Sequence, residues 1–151
     1  MTSPNPSVRL SAPELMAVSL PARRTILDPI LTTKSLALLY GPRGIGKTYV
    51  ALGIAWAAAA GSSFLGWRAS RPHRVLYVDG EMAAADMRER LASFGPAPPT
   101  LELMLVDLQT GTQPDLATPE GQKFMLEQCA KYFGFVEGDL APTAFVPKET
   151  P

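Results

Sequence analysis

The sequence predicts an α/β fold built on a mostly parallel sheet. Three observations predict it. Apolar strand-like runs alternate with helix-like stretches, glycines and prolines fall at the joints, and a glycine-rich turn separates the first such run from the first such helix. Length and composition agree: 151 residues are enough for one domain, and 46% hydrophobic content with mixed charges belongs to a core-forming chain.

The elements follow in order. Residues 1–24 carry Pro4, Pro6, Pro13 and Pro21 among Ser, Thr and Arg, which reads as a loose leader with one short helix near Glu14–Val18. The core is expected over 25–128. Thr25 to Ser35 is a connection, and Leu36-Ala37-Leu38-Leu39-Tyr40 reads as a buried first strand. A helix starting at Lys47 runs through four alanines and should stop at Gly61. Ser62–Pro72 is a loop whose Phe64, Leu65 and Trp67 form a hydrophobic flap, with adenine stacking on Trp67 the lesser alternative.

Arg74 to Val78 is the second strand, followed by Asp79-Gly80-Glu81-Met82. Met82 to Phe94 has helical spacing and ends at Gly95-Pro96; Leu101 to Val106 is a third strand. Thr118-Pro119-Glu120 opens a last helix, with proline at its first position. Residues 129–151 read as an irregular tail containing Pro142, Pro147 and Pro151.

The glycine-rich turn carries the chemistry. Gly41-Pro42-Arg43-Gly44-Ile45-Gly46-Lys47-Thr48 fits the phosphate-loop pattern G-x-x-x-x-G-K-[ST], and it lies between a strand and a helix as that motif requires. Gly41, Gly44 and Gly46 allow positive φ and close approach of the backbone to a phosphate. Successive N–H groups then make an anion nest, to which the helix start adds its dipole. Lys47 supplies charge to the β- and γ-phosphates of ATP, and the Thr48 hydroxyl is expected on Mg²⁺. Pro42, Arg43 and Ile45 fill the variable positions and Tyr49 follows, so residues 41–49 are the expected nucleotide contacts.

Carboxylates come next. In a parallel sheet, ligands collect beyond the carboxyl ends of the strands. Both the phosphate loop and Asp79-Gly80-Glu81 follow a strand, so both belong at that edge. Glu81 is expected as the base that orients and deprotonates the attacking water, against the plain alternative of an exposed loop acid. Asp79 is the expected metal acid. Asp107 is a further candidate, for which a strand-ending turn residue is an equal reading.

Other classes are disfavoured. The formal net charge is zero, so contact with nucleic acid needs a local patch. Arg68, Arg71 and Arg74 around His73, with Arg88 and Arg90, are the candidates, though each taken singly reads as solvated surface. Cys129 is the only cysteine and His73 the only histidine, which excludes an internal disulfide and a Cys/His zinc set. No secretory start is visible, and the apolar run Val50–Ala60 is too short for a bilayer, so a cytoplasmic chain with no membrane contact is expected.

These residues also carry a resemblance. LALLYGPRGIGKT at 36–48, SFLGW at 63–67 and RVLYVDGEM at 74–82 resemble AAA-family ATPases of the RecA-like, RepA-type replicative helicase group, and a weaker likeness continues to about residue 122. The resemblance implies a three-layer P-loop NTPase core of RecA-like type, often assembled as a homo-oligomeric ring with ATP between subunits. It implies action on single-stranded, plasmid or phage DNA. Lys47 and Thr48 match its phosphate and magnesium positions, and Glu81 its catalytic glutamate. The family's second acidic strand, sensor and arginine-finger elements have no match after residue 122. The resemblance therefore covers a front half, incomplete at the C-terminus. An ATPase acting on DNA is the first reading; a module that binds ATP without turnover is the second, and a small-molecule kinase ranks last.

Overall fold

The computed structural model describes residues 9–108 and 115–134. Helix α1 (Ala12–Ala17) stands in the leader, where a short helix is expected. It buries nothing and persists through a capping box. The Ser11 hydroxyl accepts from the Glu14 N–H, while the Glu14 carboxylate accepts from the Ser11 N–H at 2.7 Å.

One helix organises everything after it. α2 (Lys47–Ala60) ends at Gly61, which takes a left-handed φ of 65° as the expected C-cap. Its buried residues point several ways at once. Leu52 packs with Met87 and Leu105 in one cluster, while Ala57 packs with Leu27 and Ala69 in another. Alanine suits this central place, because small side chains let neighbours approach the helix closely on several sides.

The Ala57 side is covered by two antiparallel hairpins. β1 (Thr25–Leu27) pairs with β2 (Leu31–Thr32), and β3 (Ser63–Phe64) pairs with β4 (Trp67–Arg68). Leu65 and Gly66 both have positive φ, 51° and 84°, as a two-residue hairpin turn demands. Reciprocal bonds between Asp28 and Arg68, of 2.8 and 3.0 Å, join the hairpins. Both stretches read as loops in the sequence. Strands this short hold too few residues for alternation to register. Trp67 packs on the core cluster of Leu27, Ala57 and Ala69, which agrees with the flap reading and not with an adenine platform.

The Leu52 side meets the parallel pair. β5 (Val75–Asp79) and β6 (Leu101–Leu105) run side by side from Val75↔Leu101 to Asp79↔Leu105, with α3 (Ala84–Ala92) crossing between them. Two bonds fix how α2 lies on them. The His73 N–H donates to the Ala58 carbonyl at 2.9 Å, and Thr100 Oγ1 donates to the Ala59 carbonyl at 2.6 Å. The foot of α2 therefore sits at the starts of both strands, and its head lies toward their carboxyl ends.

α4 (Pro119–Phe133) opens with the expected Thr118 cap and proline, and Tyr132 anchors its far end by donating to the Thr100 carbonyl at 2.7 Å. The helix runs past the boundary expected at residue 128. Residues 135–151, most of the expected tail, lie outside the described residues, as do 1–8 of the leader.

One sheet expectation needs correction, and another holds on a smaller scale. Leu36–Tyr40 is not a buried strand. Leu36, Leu38 and Tyr40 are 83%, 84% and 83% exposed, and the run joins none of the sheets among the described residues. A two-sided apolar strand must be taken into a sheet that is covered on both faces. The run lies on neither free edge of the β5–β6 pair. The parallel sheet is smaller than expected: one parallel pair, β5 and β6, stands beside two separate antiparallel hairpins. The result is a mixed α/β fold with a small parallel sheet, compatible with a P-loop fold.

Candidate phosphate-binding site

Gly46 stands at the N-cap of α2 with φ 90° and offers no side-chain acceptor, so the first N–H groups of the helix are left without a side-chain cap. Gly44 is also left-handed, at φ 85°. A Cβ added at either glycine would meet nothing within 4 Å, so the loop opens on free space. Gly41 differs. There a Cβ would lie 2.6 Å from Ile45 Cδ1, so the variable position Ile45 folds back over the loop's own entrance.

Lys47 is held in place by that loop. Its Nζ donates to the Gly41 and Pro42 carbonyls, both at 2.8 Å. An ammonium has three donors, so one stays available for an anion. Lysine, uncapped amides and open glycines thus stand together on one short loop, a set of groups suited to a phosphate chain. Pro42, Arg43 and Gly44 are exposed along that loop, and Thr48 is half-buried in the first turn of α2. Tyr49 goes elsewhere: its ring stacks on Phe94 at 4.8 Å, within a group that includes Phe64 and Trp56.

The carboxylates share this edge, because the head of α2 and the ends of β5 and β6 point the same way. Asp79 Oδ1 accepts from the Glu81 N–H at 2.9 Å and the Met82 N–H at 2.7 Å, closing the turn that presents Glu81. Glu81 is exposed. Asp107 Oδ2 accepts from the Ala84 N–H at 2.9 Å. Ala83, the N-cap of α3, has no capping side chain of its own, so an acid from the end of β6 supplies the cap. The sequence places Asp107 at a strand end; its partner, 23 residues earlier, has no sequence signal. No group of three or more His, Cys, Asp or Glu side chains suited to a metal is found among the described residues.

Two clefts lie away from the phosphate loop. One of about 360 Å³ is lined by Arg74, Glu102, Gln128 and Lys131, and one of about 660 Å³ lies between α3 and β6.

Residues 3–126 match the family described as AAA domain. The chain belongs to the AAA domain family. The match takes in the phosphate loop, the Asp79–Glu81 turn and part of the leader read as separate from the core. Membership makes a nucleotide-binding, ATPase-type function the general expectation for this AAA domain. Searches of curated proteins and of solved structures returned no match. No helix among the described residues is long and apolar enough to cross a membrane.

Proposed function

We propose that this AAA domain binds ATP with Mg²⁺ through residues 41–48 and hydrolyses it with Glu81 as the base. The observation that carries the reading is the placement of Lys47, whose ammonium is tied by two loop carbonyls beside uncapped helix amides. Those amides and Lys47 bind the phosphates and hold them against the start of α2. Thr48 and the Asp79 oxygen not engaged in the turn, Oδ2, are the residues that would hold the magnesium ion, which neutralises phosphate charge when bound. Glu81 takes the proton of the attacking water. Tyr49 is left out of the contact set, since its ring is committed to Phe94.

The RecA-like, RepA-type core and its action on DNA as a homo-oligomeric ring extend this reading. They rest on the order of the three sequence motifs. A cytoplasmic setting goes with them. The second reading, ATP binding without turnover, is favoured by one observation: Asp79 already spends an oxygen on its own turn and Asp107 caps α3, so of the three candidate acids that follow β5 and β6 only Glu81 has both oxygens free for metal.

Steady-state ATP hydrolysis with and without single-stranded DNA separates the two. Turnover abolished by Lys47→Ala and lowered about 10²–10⁴-fold by Glu81→Gln supports the enzyme. Fluorescent-nucleotide binding with no turnover by the unmodified chain supports the second reading. Unchanged nucleotide affinity in Lys47→Ala, with circular dichroism intact, removes both.

A further inference from the structure

Among the described residues, the fold separates two groups of basic side chains. Arg88 and Arg90 go with α3, whereas Arg71 and Arg74 lie at the starts of the strands, on the sheet edge opposite the phosphate loop. Two cations with no sequence signal join the second group. Arg24, just before β1, and Arg71 both lie close enough to His73 to disfavour its charge, with burial the larger cause. Lys131, near the end of α4, shares the 360 Å³ cleft with Arg74.

We propose that Arg24, Arg71, Arg74 and Lys131 form a surface that binds the phosphate backbone of a nucleic acid. This rests on the nucleic-acid part of the function proposed above and is independent of ATP turnover. Arg24 and Arg71 lie near His73, its neighbour in sequence Arg74 shares a cleft with Lys131, and all four cations are exposed. Glu102 is the one carboxylate lining the cleft. In a chain of zero net charge, such a cluster is a local concentration of positive charge. Cations spread over several elements suit a repeating row of phosphates better than one small anion.

Arg74 is already positioned. Its guanidinium carbon sits 4.5 Å from the Tyr132 ring centre and 5.8 Å from that of Phe133. Aromatic support fixes the guanidinium while leaving its charge intact. His73 lies beneath the group rather than on it, its Nε2 buried without a hydrogen-bond partner. Separation from the phosphate loop follows from α2: Lys47 and Ala58 are about 16 Å apart at ~1.5 Å per residue, so nucleic acid and nucleotide would not compete.

The test is fluorescence anisotropy of a labelled oligothymidylate of about 25 nucleotides, titrated with the full chain across a salt series. Arg24→Ala/Arg71→Ala removes two exposed cations. Its log–log salt slope should be shallower than that of the unmodified chain by about 1.4, two contacts at ~0.7 each, with roughly tenfold weaker binding at low salt. Arg88→Ala/Arg90→Ala changes net charge equally and should bind as the unmodified chain does. An unaffected first variant, or an equal loss from the second, overturns the surface while leaving a DNA-binding protein. Should the unmodified chain not bind the oligonucleotide at low salt, the surface and the DNA role both fall, and the ATP titration still judges the phosphate loop separately. Binding to phosphatidylserine vesicles but not to the oligonucleotide would also overturn the proposal.

Discussion

Asp107 shows how a single side chain can look catalytic in sequence and prove architectural in space. An acid directly after an apolar run at the ligand edge invites a metal role. Its Oδ2 instead satisfies the Ala84 amide. Removal of such a cap costs about 0.5–2 kcal/mol. Asp107→Ala should therefore lower the unfolding free energy read from denaturant melts by that amount, and Asp107→Asn, which keeps an acceptor oxygen, should recover most of it. Loss of nucleotide turnover in Asp107→Asn at unchanged stability would return the residue to the metal site. His73 is a second case. Burial, aided by Arg71 and Arg24, lowers its pKa below the usual 6.5. The unfolded chain then binds a proton more readily than the native one, so stability is complete above the unfolded value and declines as pH falls through it. His73→Gln should flatten that acid-side decline in thermal melts recorded between about pH 7 and 5.

At the scale of elements, the sequence was most legible where a backbone requirement has a residue signature. Gly61 as the stop of α2, Thr118-Pro119 as the start of α4, and the positions of β5 and β6 all belong to that kind. The hairpins were not legible, because two- and three-residue strands hold no readable period. Leu36–Tyr40 departs from expectation for another reason: its composition states what the segment would do inside a sheet, not whether a sheet takes it in. The candidate site divides similarly, with the phosphate loop plain in sequence and the long-range partners of Asp107 and Arg24 invisible. α2 also holds a residue whose smallness is structural. Gly53 lies directly under the Phe64 ring, which occupies the place a Cβ would take. Gly53→Ala should destabilise by about 1–3 kcal/mol through overpacking, despite the better helix propensity of alanine. A gain in melting temperature would mean that Phe64 moves aside freely.

For the whole molecule, the central fact is that α2 carries both ends of its proposed chemistry. Lys47 at the head and Ala58 at the foot are ends of one rod packed against two separate apolar clusters. Leu52, fully buried in the cluster nearer the head, is the residue whose truncation should loosen that rod most. Leu52→Ala should cost about 2–5 kcal/mol in global unfolding and weaken nucleotide binding at temperatures where unfolding begins. The uncovered run before the phosphate loop has a consequence of a different kind. Leu36, Leu38 and Tyr40 present oily side chains on an extended stretch carrying neither charge nor proline. Such a stretch is sticky. The purified chain should clump as its concentration rises, and Leu38→Lys, a gatekeeper placed in the middle of the greasy seam, should keep light scattering low while the nucleotide titration stays as it was.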